Sequence, residues 1–162
     1  MDAMNRRLTA QSGFSLIEAM LAAVVLAVGL VTLTGMQAIS FGGNVNSKEL
    51  TRVTNMAADM VERIQFNRRN VAAYNLIDTQ NAGTQPPTSQ WMARGDYAQW
   101  QALLNGSGLT NVRGQVGVQS IGPTTLNENS ITVTVTWLGS ASGGSQVLRN
   151  RSVTLTAVVA PE

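Results

Sequence analysis

The chain has no cysteine and no histidine. No disulfide can brace it, no thiolate can serve as a nucleophile, and the usual catalytic triads and zinc sites lack their sulfur and nitrogen donors. The acids Asp59, Glu62, Asp78, Asp96 and Glu128 show none of the close spacing of a calcium loop. Neither an enzyme nor a required metal or cofactor is expected. Charge is sparse as well, with 11 basic and 9 acidic side chains among 162 residues and a net +2. After Arg6-Arg7 the basic pairs are Arg68-Arg69 and Arg149 with Arg151, and pairs this small fit solvated or subunit-contacting surface better than a nucleic-acid footprint. Nucleic acid is not an expected partner. The chain has four prolines, the first of them Pro86, so helix breaking before that point would fall to glycine alone.

Apolar sequence is plentiful at one place. From Phe14 to Met36 the only polar side chains are Ser15, Glu18, Thr32 and Thr34. A helix of that length covers roughly 34 Å, enough to cross a bilayer core. The preceding residues 1–13 are polar and carry Arg6 and Arg7, which by the positive-inside rule keep that end in the cytoplasm. A carboxylate near the centre of such a segment costs about 2.5 kcal/mol or more, so Glu18 should lie at a boundary or have a partner. An ordinary secretory signal has a shorter apolar core before a small-x-small cleavage site. Ala38-Ile39-Ser40 offers a site of that kind, with cleavage before Phe41, and an uncleaved single-pass anchor is a further alternative. Neither gives Glu18 a role.

The junction Gly13-Phe14-Ser15-Leu16-Ile17-Glu18, followed by the apolar run, resembles the class III signal of type IV prepilins and pseudopilins. The resemblance implies cleavage after Gly13 on the cytoplasmic side by a membrane-embedded prepilin peptidase and N-methylation of Phe14. It implies that Glu18 pairs with the terminal amine of a neighbouring subunit, registering assembly. Val28 to Gln37, Met56 to Ile64, Trp100 to Leu104 and the strand with Val133 to Trp137 are similar to minor pilins of that family. The implied role is structural, in priming or tip assembly of a pilus that serves twitching motility and adhesion. The implied partners are other minor pilins, the major pilin, the prepilin peptidase and the inner-membrane assembly platform. The implied location is the bacterial inner membrane with a periplasmic head, then the extracellular pilus.

Two departures stand out. Gly35 occupies the place where major pilins commonly have proline, and no cysteine pair closes a C-terminal loop. A type II secretion pseudopilin shares the processing motif and remains an alternative. A membrane-tethered or secreted module, contacting a glycan or cell surface through Asn, Gln, Ser and Thr, is an alternative of another class.

Along the chain the reading gives a leader at 1–13, a transmembrane and filament-core helix at 14–39, an amphipathic helix at 40–74 and a globular head at 75–162. Leu50, Val53, Met56, Ala57, Met60, Val61 and Ile64 recur at helical steps. Lys48, Glu49, Arg52, Asp59, Glu62 and Arg63 occupy the other face, as on a solvated surface. Gly29, Gly35, Gly42 and Gly43 each weaken helix propensity by about 1 kcal/mol, so the helix is expected to loosen between Gly29 and Gly43. The alternative is that they serve close helix packing. Asn75 to Gly95, with Pro86-Pro87, reads as a long surface loop. Asp96 to Leu104 reads as a short helix with Tyr97, Trp100, Leu103 and Leu104 on one face, ended by Gly106-Ser107-Gly108.

Three strands are expected, Val112 to Ile121, Ile131 to Leu138 and Val147 to Val159, the last with a break near Asn150. Apolar residues alternate with threonine from Ile131 to Trp137, and Val153, Leu155, Ala157 and Val159 repeat the pattern, as when one sheet face packs on a core. Trp91, Trp100 and Trp137 are expected to pack in the core or at the sheet edge. The fold class is α+β: a long amino-terminal helix packed on a small antiparallel sheet, pilin-like.

Overall fold

With no proline before Pro86, every residue of the first half retains its N–H for a helical ladder. The computed structural model describes residues 15–122, 128–140 and 148–160, and in it helix α1 runs unbroken over Leu16–Phe66. The expected loosening between Gly29 and Gly43 does not occur. Melting there would free backbone groups that have no other partner in apolar surroundings, a larger penalty than the roughly 1 kcal/mol weakness of each glycine. The chain divides into two units between Ser40 and Phe41.

In the first unit the helix is apolar on all sides and exposed, with Leu16, Ile17, Met20, Leu21, Val24, Val25 and Val31 all more than half accessible. It is long and apolar enough to cross a membrane. Its two threonines are neutralised internally, Thr32 Oγ1 donating to Val28 O at 2.9 Å and Thr34 Oγ1 to Leu30 O at 2.8 Å. Such back-bonding makes a hydroxyl compatible with an apolar environment.

In the second unit α1 turns amphipathic. Val53, Met56, Ala57, Met60 and Ile64 are buried and Val61 packs against them, whereas Leu50 stays half exposed. A 3-10 segment, Arg68–Tyr74, follows the helix. The expected loop contains a short 3-10 turn at Ala82–Thr84, and helix α2 starts earlier than anticipated, spanning Trp91–Asn105. Its buried stripe is Ala93, Tyr97, Trp100 and Leu104, with Leu103 at the margin, 42% exposed. Trp91 is 73% exposed and does not pack in the core. Two residues before Ala93, it falls about 200° around the helix from that stripe.

Strands β1 (Thr110–Ile121), β2 (Glu128–Ser140) and β3 (Leu148–Val159) form an antiparallel sheet in the order β1-β2-β3. β3 has no break at Asn150, which pairs with Leu138. Gly114, Val135 and Val153 line up across the sheet, as do Val116, Val133 and Leu155, and Val118, Ile131 and Ala157. These rows face the helices, and the threonines between them face outward, Thr134 and Thr154 sharing a hydroxyl contact at 3.1 Å. Trp100 is buried between the layers and its Nε1 donates to Met56 O at 2.9 Å. Gly114 is where the α2 layer comes closest to β1. A Cβ there would meet the Trp100 ring and lie 2.7 Å from Leu104 Cδ1. A long helix packed on a three-stranded antiparallel sheet is the architecture the pattern of apolar residues implies.

Candidate functional site

The amino-terminal site starts at Ser15. It precedes the first helical residue, and its Oγ accepts the Glu18 N–H at 3.3 Å while its carbonyl accepts Ala19 N at 3.1 Å. Ser15 is therefore the N-cap of α1, satisfying one of the donors a helix start leaves open. Glu18 stands in the first turn, where a carboxylate is favoured by the helix dipole. In a capping box the glutamate would reach back to the cap residue's own N–H. Here it does not: among the described residues the exposed Glu18 carboxylate has neither a hydrogen-bond nor an ion-pair partner. The cap is made by serine alone, and the carboxylate is left for a group from elsewhere. Ser15 was legible as S-x-x-E ahead of an apolar run, a signal the motif reading passed over. Arg6, Arg7, Gly13 and Phe14 lie outside the described residues.

The head holds two polar clusters, each joining elements distant in the sequence. In the first, Arg63 Nε donates to Asp59 Oδ2 at 2.8 Å, and its Nη1 reaches Asp96 Oδ1 at 3.3 Å and Gln99 Oε1 at 2.8 Å. The other Asp96 oxygen accepts from Tyr74 Oη at 2.5 Å, and Asn67 Nδ2 donates to that phenol at 3.0 Å. The Asp59 hydrogen bond, chiefly, raises the Arg63 guanidinium above its ordinary value. Burial, and then the bond to Asp96, push the Tyr74 phenol up. Arg63, placed by the sequence pattern on a solvated face, is instead a tie between α1 and α2.

In the second cluster Arg113 grips Asp78 with both sides of its guanidinium, Nε lying 2.9 Å from Oδ1 and Nη2 contacting Oδ2. The Arg113 hydrogen bond, against the effect of burial, holds the Asp78 carboxyl below the usual carboxylate range. Gln80 N–H also donates to Asp78 Oδ1, and Thr84 Oγ1 accepts from Asp78 N–H at 2.9 Å. The result is a fixed segment along the outer edge of β1. Val116 N–H donates to Ile77 O at 2.9 Å, Thr79 N–H to Gly114 O at 2.9 Å, Gly114 N–H to Thr79 Oγ1 at 2.8 Å, and Val118 N–H to Asn75 Oδ1 at 3.0 Å.

An open groove of about 820 Å³ runs along α1 beside Leu103, lined by Thr51, Arg52, Asn55, Met56 and Asp59 among others. Arg52 on its wall donates from Nη1 to Ser107 O at 2.6 Å, tying α1 to the turn after α2. Among the described residues no group of three or more acids is placed to hold a metal ion. The chemistry of both head clusters is that of internal ties, with every charge either paired or at the surface. Glu18 differs from them in being a carboxylate on an apolar helix with no partner among the described residues.

A family model matches that same end of the chain. Residues 8–34 match the family model described as the prokaryotic N-terminal methylation motif. The match spans the leader junction, Ser15, Glu18 and much of the apolar part of α1. It marks a prepilin-type amino terminus, of the sort carried by type IV pilin-like and pseudopilin proteins. No curated protein and no solved structure matches the chain.

Proposed function

We propose that this chain is a non-enzymatic structural subunit, a PilV-like minor pilin of a type IV pilus that takes part in priming or tip assembly of the filament. The observation that carries the reading is the Glu18 carboxylate, without a partner among the described residues, one turn into an exposed apolar helix and within the methylation motif at residues 8–34. Arg6 and Arg7 hold the leader in the cytoplasm during insertion. Prepilin peptidase cuts after Gly13 and methylates Phe14.

In the bilayer an isolated carboxylate is costly, and a cation presented by a neighbouring subunit relieves that cost. Pairing of Glu18 with the terminal amine of an adjacent subunit thus sets the axial stagger of packed helices. The partners are other minor pilins, the major pilin, the peptidase and the inner-membrane assembly platform. The subunit resides in the inner membrane with its head in the periplasm and leaves it for the extracellular pilus on assembly. Twitching and attachment are the activities such a filament supports.

A second reading, a GspI-like pseudopilin of type II secretion, is favoured by the same motif, which both systems share. N-terminal mass spectrometry of the protein from its host, with and without prepilin peptidase, tests the class. A mature chain starting at N-methylated Phe14 only when the peptidase is present is the expected result. An amino terminus at Met1 or Phe41 in both strains would overturn the reading. Deletion of the gene then separates the two systems: loss of surface pili with secretion intact is expected, and loss of secretion with normal pili would select the pseudopilin.

A further inference from the structure

The two edges of the head's sheet are treated differently. The outer edge of β1 is covered by residues 75–79, which satisfy its Val116, Gly114 and Val118 backbone groups. β3 is the other edge strand, 12 residues long, and among the described residues it pairs only with β2. Natural sheets blunt such edges with proline, a bulge, lysine or an inward-pointing charge. β3 has no proline, its register against β2 is continuous, and from Ser152 to Val159 it carries no charge. A long, β-branched and unblocked edge is a template for a further strand.

We propose that β3 pairs antiparallel with β3 of a second copy of this chain, joining two three-stranded sheets into one across a two-fold axis at Leu155. The strand's own sequence argues for a second copy as its occupant. An antiparallel pair related by a two-fold axis must be self-complementary, and Val153-Thr154-Leu155-Thr156-Ala157 reads nearly the same in both directions about Leu155. In this register Thr154 faces the partner copy's Thr156, Val153 faces Ala157, and Leu155 faces Leu155. The threonine pairs repeat what β2 and β3 already do, where Thr132 is opposite Thr156 and Thr134 opposite Thr154. Val153, Leu155 and Ala157 are half-buried at the margin of the core and gain cover from the same residues of the copy. A register that keeps like faces together but is centred on Asn150 or Arg151 would bring these cations against each other. Centring on Leu155 puts Arg151 opposite Val159. One strand's edge is a small contact by the measure of stable dimers, so the association is weak and depends on concentration.

The absence of native cysteine makes the test direct. Full-length protein is prepared in dodecyl maltoside as wild type, Thr154→Cys, Thr156→Cys and the double variant Thr154→Lys/Thr156→Lys; both positions are exposed on the outward face. Directly opposed positions have Cβ atoms about 4.5–5.5 Å apart and diagonal ones are farther. Mixing the two cysteine variants and oxidising mildly should therefore give a disulfide-linked dimer of one Thr154→Cys with one Thr156→Cys chain, in at least fivefold excess over the linked dimer either variant forms alone. The double lysine variant, folded by circular dichroism, should shift from a concentration-dependent dimer to monomer in light scattering. Equal linking in the mixed and single samples, or a dimer that survives the lysines, would assign association to the apolar helix and overturn the proposal. A monomer at all concentrations with no mixed disulfide would overturn it too.

Discussion

Glu18 and Gly114 make opposite demands on substitution. The Glu18 carboxylate has no hydrogen-bond or ion-pair partner among the described residues, so Glu18→Ala should leave the fold and membrane insertion intact. If its partner amine is buried in the assembly, removing the carboxylate strands that charge at about 3–5 kcal/mol. Co-purification with other pilins should then be lost while the membrane fraction holds normal amounts of the subunit; unchanged pilus number would count against the pairing. Gly13→Val should block maturation, leaving the full leader on the chain by mass spectrometry. Gly114 is the reverse case, a residue with no room. A methyl group there must displace Trp100 or Leu104. Gly114→Ala should cost about 1–3 kcal/mol by overpacking, read as a lower midpoint of unfolding followed by tryptophan fluorescence, with processing unaffected.

Among the elements, the segment from Asn75 to Thr84 behaves as a clamp on β1 and not as the free surface loop its composition suggests. Its hold depends on the Asp78 and Arg113 pair together with the backbone bonds to Val116 and Gly114. Because the folded-state pKa of Asp78 is lowered, its contribution is fully present above the ordinary carboxylate value of about 3.9 and is lost as pH falls through the folded value. Arg113→Ala should therefore lower stability at pH 7 and flatten the acid limb of the stability curve below about pH 4. Hydrogen exchange should show Val116 and Val118 amides losing protection first in that variant. Protection unchanged from wild type would mean that the backbone bonds alone hold the edge.

Taken as one molecule, the chain assigns its apolar surface to two uses. The helix before Phe41 leaves it open, and the head buries it under the paired charges that tie α1 to α2. Tyr74 is one of those ties, and its raised pKa predicts the alkaline limit of the head. The neutral phenol's contribution is intact below about pH 10, the unfolded value, and is lost as pH rises toward the higher folded one. Unfolding in urea at pH 8 and at pH 11 should show a drop in the wild type that is smaller in Tyr74→Phe.

The amino-acid sequence by itself determined what is local or periodic. The amino-terminal methylation motif, the lone acid of the apolar run, the stripe from Val53 to Ile64 and the alternation in β2 are legible because each is fixed by neighbours within a turn or by a period of two. Tertiary structure alone decided that Arg63, already beside Asp59 on its own helix, reaches on to Asp96 and that Arg113 meets Asp78, since these acids lie 33 and 35 residues away. It also decided that Trp91 is exposed, that the glycine-bearing helix stays whole, and that one sheet edge is covered while the other has no further strand among the described residues. These outcomes depend on which distant groups meet, and a hydrogen bond or ion pair formed across two elements leaves no period in the sequence to be read.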